Sequence, residues 1–163
     1  MSRPLDPAAK ILSLEEVRDR LSPKARGGKT LALANGCFDV LHVGHIRYLE
    51  GAKQQADILL TAVNSDRSVT ALKGQGRPIQ PERDRAEIIA ALRCVDYVVI
   101  FDEDTVVPVI QAVGPDVHCK GTDYTIDTVP EREAVRACGG RVAIVGDPKD
   151  HASSEILKRL RKT

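Results

Sequence analysis

The alternation of apolar segments with helix-like segments is the feature that most restricts the fold of this chain. Residues 57–63, Asp-Ile-Leu-Leu-Thr-Ala-Val, form a nearly continuous apolar run, which is typical of a strand buried on both faces of a parallel sheet. Similar runs lie at 30–34, 95–101, 116–120 and 141–145. We therefore predict an α/β fold, with a doubly wound and mostly five-stranded parallel sheet.

The segments between these runs predict helices and loops. Ser13 and Glu16 form a capping-box pattern at the start of a first helix, and residues 1–10 before it predict a loose tail. Further helices are predicted at 42–55, 81–92, 105–113, 130–138 and from 153 onward. No helix is predicted between Asn64 and the Gly/Pro-rich loop at 72–78.

Residues 34–45, Ala-Asn-Gly-Cys-Phe-Asp-Val-Leu-His-Val-Gly-His, join the first strand to a helix. A helix N-terminus has unpaired backbone N–H groups and the positive end of the dipole, so it is a natural seat for phosphate. His42 and His45 share one helix face, and Gly44 between them allows a ligand to approach closely. Two isolated histidines would more often be structural, but this position after a strand and turn favours a phosphate site.

Other chemically useful residues follow the remaining strands. Lys73 and Arg77 follow the second strand, Lys120 and Asp123 the fourth, and Ser153 and Ser154 the fifth. Ligands of doubly wound sheets bind at the carboxyl ends of the strands, so these residues are expected to lie together. Arg83 and Arg85 oppose the dipole of their helix, which favours an anion facing them, although a solvated surface would also explain them.

Composition and charge exclude several functional classes. The chain has 163 residues, of which 42% are apolar and 29% charged, and its net charge is +1. We expect a tail and helix at 1–29, a main domain at 30–163, and no nucleic-acid or membrane partner. The start MSRPLDPAAK lacks the apolar region of a signal peptide, and the four cysteines show no CxxC spacing, so a reduced cytoplasmic protein is expected.

The candidate site is rich in cations and has no Ser–His–Asp or Cys–His pair. A P-loop and a GxGxxG motif are also missing, which argues against P-loop kinases and NAD enzymes. Nucleotidyl transfer fits, because positioning and charge stabilisation supply most of its catalysis. A phosphate acceptor is already nucleophilic at neutral pH, and Mg²⁺ would be held mainly by the nucleotide phosphates, with no certain protein ligand.

Several blocks resemble a known family. NGCFDVLHVGH is similar to the HxGH signature of the cytidylyltransferase-like nucleotidyltransferases. VNSDRSVTALKGQGRPI, VDYVVIFDEDT and PDVHCKGTDY resemble the ADP-heptose synthase family within that group. The resemblance runs from about residue 31 to 160 and implies a Rossmann-like nucleotidyltransferase fold. It also implies a stand-alone form, because the bifunctional form carries a sugar-kinase domain ahead of this one.

The resemblance assigns roles to residues at matching positions. It makes His42, His45, Lys73 and Arg77 catalytic, through the triphosphate and the transition state. It makes the following residues nucleotide-binding: Asn35, Gly36, Cys37, Phe38, Asp39, Gly44, Arg85, Lys120, Gly121, Asp123, Ser153 and Ser154. Two departures border the site: Thr122 stands where the family usually has glycine, and Ala152-Ser153-Ser154 aligns with its Ser-Thr-Thr triplet.

The leading interpretation is transfer from ATP to a sugar 1-phosphate, D-glycero-β-D-manno-heptose 1-phosphate, which gives an ADP-sugar and pyrophosphate. A CTP-dependent transferase acting on glycerol 3-phosphate or a related alcohol phosphate is the alternative on the same scaffold. A regulatory module that binds nucleotide without catalysis is the alternative of another class. The resemblance further implies a homodimer.

Overall fold

The computed structural model describes residues 6–148 and 152–162. Its strands are β1 (Ile11–Leu12), β2 (Leu31–Gly36), β3 (Ile58–Asn64), β4 (Tyr97–Phe101), β5 (Val117–Lys120) and β6 (Arg141–Ile144). Its α-helices are α1 (Leu14–Leu21), α2 (Val43–Lys53), α3 (Asp66–Lys73), α4 (Glu82–Ala90), α5 (Val107–Val113), α6 (Arg132–Ala137) and α7 (Ser153–Leu160). Short 3₁₀ turns lie at Pro7–Lys10 and Ile126–Thr128.

The strands form one parallel sheet in the order β1-β4-β3-β2-β5-β6. From β2 the chain adds β3 and then β4 on one side, next to β1, and it then returns to the other side of β2 with β5. This reversal places a topological switch point between β2 and β5, where doubly wound folds bind their ligands. The α/β class and the parallel sheet are therefore confirmed.

The prediction of five strands is wrong by one. Ile11 and Leu12 pair with Val98 and Val99 and add β1 at the edge of the sheet. The expected loose tail is also corrected from residue 6 onward, because Asp6 caps the turn at Pro7–Lys10. Two residues are too few to show a strand period, so only the pairing with β4 identifies them as a strand.

Helix α3 is a second difference. Ser65 caps it by accepting a hydrogen bond from the backbone N–H of Ser68, and Val69 is completely buried. Its eight residues carry few apolar side chains, so its pattern resembles a polar loop. This helix carries Lys73 at its last residue, which fixes where the following Gly-rich loop begins.

Two apolar layers cover the sheet. One contains Ala34, Leu49 and Ile89 and lies beneath α2 and α4; the other contains Leu33, Val109 and Val135 and lies beneath α1, α5 and α6. Burial of each Leu, Ile or Val side chain in these layers contributes about 1.5–3 kcal/mol. No helix in the described part of the chain is long and apolar enough to span a membrane.

Candidate active site

The two histidines of the HxGH sequence are held by backbone N–H groups at the start of α2. Nδ1 of His42 accepts a hydrogen bond from the N–H of Gly44 at 3.1 Å, and Nδ1 of His45 accepts one from the N–H of His42 at 3.2 Å. A backbone N–H can only donate, so in each neutral ring the proton lies on Nε2. The rings stack with centroids 3.9 Å apart, and both residues line the same cavity.

His45 is uncharged at neutral pH. Burial, followed by the charges of His42 and Lys73, lowers its pKa from 6.5 to about 4. Its Nε2–H group is thus a neutral donor, which stabilises an anion without first having to take up a proton. The Phe38 ring packs against the His45 ring in a T-shaped arrangement, with the ring centroids 5.5 Å apart.

The turn before α2 contains two unusual backbone conformations. Phe38 and Val40 have φ values of 49° and 61°, in the left-handed region that costs a non-glycine residue about 1–3 kcal/mol. Asp39 between them is 2% exposed, and its carboxylate accepts hydrogen bonds from the N–H groups of Ile79 and Gln80. Arg77 Nε donates to the same carboxylate at 2.7 Å. These bonds tie the turn to the Gly-rich loop.

Asp39 and Phe38, which the sequence analysis assigns to nucleotide binding, lie against residues of the cavity wall. Both are buried, and neither lines the cavity. All contacts of the Asp39 carboxylate go to the loop that follows α3, so Asp39 acts on the site through Arg77. Phe38 packs against His45 and the stacked ring of Tyr48.

A cavity of about 600 Å³ opens at the carboxyl ends of the strands, at the switch point between β2 and β5. The predicted residues that line it are Asn35, Gly36, Cys37, His42, Gly44, His45, Lys73, Arg77, Lys120, Gly121, Asp123, Ser153 and Ser154. Segments far apart in the sequence are thus brought to one edge of the sheet, as the strand pattern predicts. The volume lies in the range of ordinary small-molecule sites.

Lys73 and Arg77 supply the cationic side of the cavity. Lys73 is exposed, and its ammonium has no ion-pair partner within residues 6–148 and 152–162. Arg77 is half-buried because Nε is held by Asp39. The carboxylate therefore orients one guanidinium while Lys73 stays available to an incoming anion.

Arg85 does not line this cavity, which corrects its assignment to phosphate binding. Its side chain is 0% exposed. The guanidinium donates to the carbonyl oxygens of Gln80, Cys37 and Asn64 and to the Asp66 carboxylate at 2.6–2.9 Å. These bonds use four of the five N–H groups of the guanidinium, so Arg85 joins α4 to the ends of β2 and β3 from a buried position.

Helix α7 brings a second N-terminus to the cavity. Its N-cap is Ala152, and no side chain caps the helix. Ser153 donates from Oγ to the carbonyl oxygen of Val40, which joins α7 to the turn before α2. Uncapped N–H groups beside two hydroxyls suit an anion. His151, which the sequence places in the preceding loop, lies outside the described residues.

A polar corner lies opposite, at the ends of β2 and β5. Lys120 Nζ is 3.3 Å from Oδ1 of Asn35, 3.5 Å from Oε2 of Glu131 and 5.0 Å from the centre of the Tyr124 ring. Glu131, which lines the cavity, is a residue that the sequence analysis missed, because nothing local links the start of α6 to Lys120. The pair makes this corner close to neutral, unlike the side with Lys73 and Arg77.

Comparisons with known proteins agree with this geometry. The chain is similar to the Bifunctional protein HldE of Syntrophotalea carbinolica, with 45% identity over 152 residues, and to that of Citrifermentans bemidjiense, with 44% over 155 residues. The matches cover 93% and 95% of this chain but 31% and 32% of those proteins, so the chain spans about a third of their length.

A solved structure is also similar. The lipopolysaccharide core biosynthesis protein from Thermoplasma volcanium GSS1 matches with a TM-score of 0.64 and 28% sequence identity, over 75% of this chain and 100% of that one. The sequence model of the cytidylyltransferase-like family matches residues 33–159, which include the HxGH histidines, Lys120 and both serines of α7. The chain therefore belongs to the cytidylyltransferase-like family of nucleotidyltransferases.

Proposed function

We propose that this protein transfers the adenylyl group of ATP to D-glycero-β-D-manno-heptose 1-phosphate, releasing pyrophosphate and forming ADP-heptose. Support comes from the sequence blocks that resemble ADP-heptose synthases and from the relatives named Bifunctional protein HldE. The similar structure described as a lipopolysaccharide core biosynthesis protein points to the same kind of sugar metabolism.

One observation carries the reaction class: two stacked imidazoles, each with Nδ1 engaged, lie at a helix N-terminus inside the cavity. In the proposed reaction, an oxygen of the sugar phosphate attacks the α-phosphorus of the nucleotide. The new O–P bond forms as the bond from Pα to the bridging oxygen breaks, and the electron pair leaves with pyrophosphate. The Nε2–H groups of His42 and His45 stabilise the charge that builds on the phosphate oxygens.

The acceptor needs no general base in this scheme. A phosphate monoester loses its second proton with a pKa of about 6, so its oxygens are nucleophilic at neutral pH. His45 suits a donor role and not a base role, because its Nδ1 is occupied by a backbone N–H and its pKa is near 4. Lys73 and Arg77 are proposed to hold the leaving pyrophosphate.

We propose that Mg²⁺ enters with the triphosphate as part of the substrate. Within the described residues, no group of three or more His, Cys, Asp and Glu side chains could hold a metal. Phosphate oxygens and water are the ligands that Mg²⁺ commonly keeps in such sites. The ion would then neutralise phosphate charge, while the chain contributes mainly hydrogen-bond donors and cations.

The description of the matched family favours CTP as the alternative nucleotide, with glycerol 3-phosphate or a related alcohol phosphate as acceptor.

Pyrophosphate release is to be measured with ATP and CTP, each against heptose 1-phosphate and glycerol 3-phosphate. Release with ATP and the heptose alone supports the proposal. Release only with CTP keeps the mechanism and replaces the substrate, and binding without release in all four assays favours a regulatory module.

The assay needs a variant control that retains the fold. His45→Asn keeps an amide oxygen that can accept the N–H of His42 in place of Nδ1, and its shorter side chain has no donor at the position of the ring's Nε2–H. Pyrophosphate release that survives in His45→Asn at the wild-type rate would come from a contaminating enzyme or from a site elsewhere.

A cytoplasmic homodimer completes the proposal. Its nucleotide and sugar-phosphate substrates are cytoplasmic metabolites, and all four cysteines are free thiols, as expected in a reducing compartment. Light scattering after size-exclusion chromatography tests the dimer, and a mass of 17.7 kDa would show a monomer.

A further inference from the structure

His118 is a buried imidazole that the proposed chemistry does not use. It lies on β5 between Leu33 of β2 and Val142 of β6, it is 0% exposed, and it does not line the cavity. Burial, followed by the charge of Lys120, lowers its pKa to about 3, so it is uncharged in the folded protein near neutral pH. An apolar side chain would fill this place at lower desolvation cost.

The contacts of His118 determine the orientation of the Asn35 amide. Nε2 of His118 and Nζ of Lys120 lie 3.0 and 3.3 Å from the same atom of Asn35, Oδ1. An ammonium can only donate, so the atom facing it must be the amide oxygen, and Nε2 of His118 must then carry its proton. The other ring nitrogen, Nδ1, is buried with no hydrogen-bond partner.

The amide nitrogen of Asn35 is consequently left for the cavity. Asn35 lines the cavity, and within the described part of the chain its NH₂ group has no acceptor. With both lone pairs of Oδ1 occupied, the amide is held with two N–H donors available to a ligand. Rotation by 180° would offer the oxygen instead and would break both bonds.

We propose that His118 is a positioning residue, which locks the Asn35 amide so that its NH₂ group donates to an acceptor atom of the bound nucleotide. The identity of the ligand rests on the proposed function, whereas the lock itself rests on the two distances at Oδ1. Lys120 alone is a weaker lock, because Glu131 and Tyr124 share its ammonium.

Nucleotide titration without acceptor tests the proposal separately from turnover. His118→Leu should raise the Kd of the preferred nucleotide, ATP or CTP, about five- to tenfold, which is within the range for loss of one hydrogen bond. It should also raise KM more than it lowers kcat. Asn35→Ala should have a similar effect. The double variant should be no weaker than Asn35→Ala alone, and His118→Gln, which retains an N–H donor, should recover most of the affinity.

Thermal melting distinguishes the positioning role from a purely structural one, which predicts a lower melting temperature. Under the proposal, His118→Leu should keep or raise the melting temperature, because it removes a buried acceptor that has no partner. Val117→Ala, which removes buried side-chain volume from the core on the same strand, should lower the melting temperature and leave the Kd for the nucleotide unchanged. Multiplicative losses in the double variant, or wild-type affinity in His118→Leu, would overturn the proposal.

The tautomer of His118 supplies a readout that needs no nucleotide. Long-range ¹H–¹⁵N correlation spectra should show the proton on Nε2 in the wild type and a mixture of tautomers in Asn35→Ala. A proton on Nδ1 in the wild type would overturn the proposed lock even if neither ATP nor CTP bound, an outcome that would count separately against the proposed function.

Discussion

Arg77 donates from Nε to Oδ2 of Asp39 at 2.7 Å, and the side chain of Asp39 is 1% exposed while that of Arg77 is 17% exposed. The buried partner is thus a fixed anchor and the more exposed one reaches the cavity. Burial alone would raise the pKa of Asp39, but the N–H groups of Ile79 and Gln80 and the guanidinium lower it below 3.8 overall. The ionised carboxylate therefore holds the Gly-rich loop against the turn before α2.

Asp39→Asn should lower the free energy of unfolding by about 2–4 kcal/mol, because it leaves Arg77 and two backbone N–H groups around a neutral amide. Urea denaturation at pH 7 measures the loss. The wild-type contribution should fade as the pH falls below about 3.8, since protonation removes the charge. Glu133→Gln, in an exposed pair with Arg136, is the control and should be unchanged within error. An equal loss in both variants would contradict a special role for Asp39.

Arg85→Lys should destabilise the protein by about 3 kcal/mol, because one ammonium cannot replace a buried guanidinium that serves four acceptors. The melting temperature should fall clearly while the ATP affinity of the folded fraction stays within about twofold. Arg77→Ala should show the reverse order, with weaker nucleotide binding as its main effect. Wild-type melting with weakened ATP binding in Arg85→Lys would return Arg85 to the phosphate site.

His42→Asn should lower kcat about 10²-fold or more, the usual effect of removing one donor to a developing oxyanion. Asparagine is a good N-cap, so the start of α2 should persist and the free energy of unfolding should change by less than about 1 kcal/mol. Steady-state pyrophosphate release and thermal melting of the same preparation compare the two effects. An undiminished kcat would remove His42 from the reacting phosphates.

The free energy of unfolding should decline as the pH falls from 6.5 to 5, a range that lies above the pKa values of most carboxylates. The pKa values of His45 and His118 are about 4 and about 3 in the folded chain and near 6.5 when unfolded, so below pH 6.5 the unfolded chain binds more protons. Each histidine then reduces the free energy of unfolding by up to about 1.4 kcal/mol per pH unit. Urea denaturation at several pH values measures this slope.

His118→Leu is the matched variant for that slope, because it removes one of the two groups and His118 does not itself line the cavity. It should reduce the decline by roughly half. A slope equal to that of the wild type would mean that His118 is protonated in the folded state, against its burial.

The sequence was informative wherever the signal was local. The apolar run at 57–63 and its counterparts predicted a parallel α/β sheet, and the order of strand, turn and helix at 31–45 predicted the start of α2. Lys73 and Ser153 could be assigned to one edge because the carboxyl ends of parallel strands meet there. The short strand β1 and the polar helix α3 were missed, since neither is long or apolar enough to show a period.

The residues that were misassigned or missed owe their positions to partners distant in the chain. Asp39 bonds to residues 38–41 positions away, Arg85 reaches carbonyl groups up to 48 positions away, and His118 meets Asn35 across 83 positions. A charged residue near a phosphate motif gives no local sign of whether it faces the ligand or a buried carbonyl. That choice depends on which groups the folded chain would otherwise leave without a partner.

By itself, then, the sequence determined the fold class, the start of the helix α2 and the group of residues at the cavity, because periodicity and turn chemistry act over a few residues. Only the tertiary structure decided which of those residues line the cavity and which hold others in place. The physical reason is that a buried charge or amide must find a hydrogen-bond partner, and packing of distant strands supplies it.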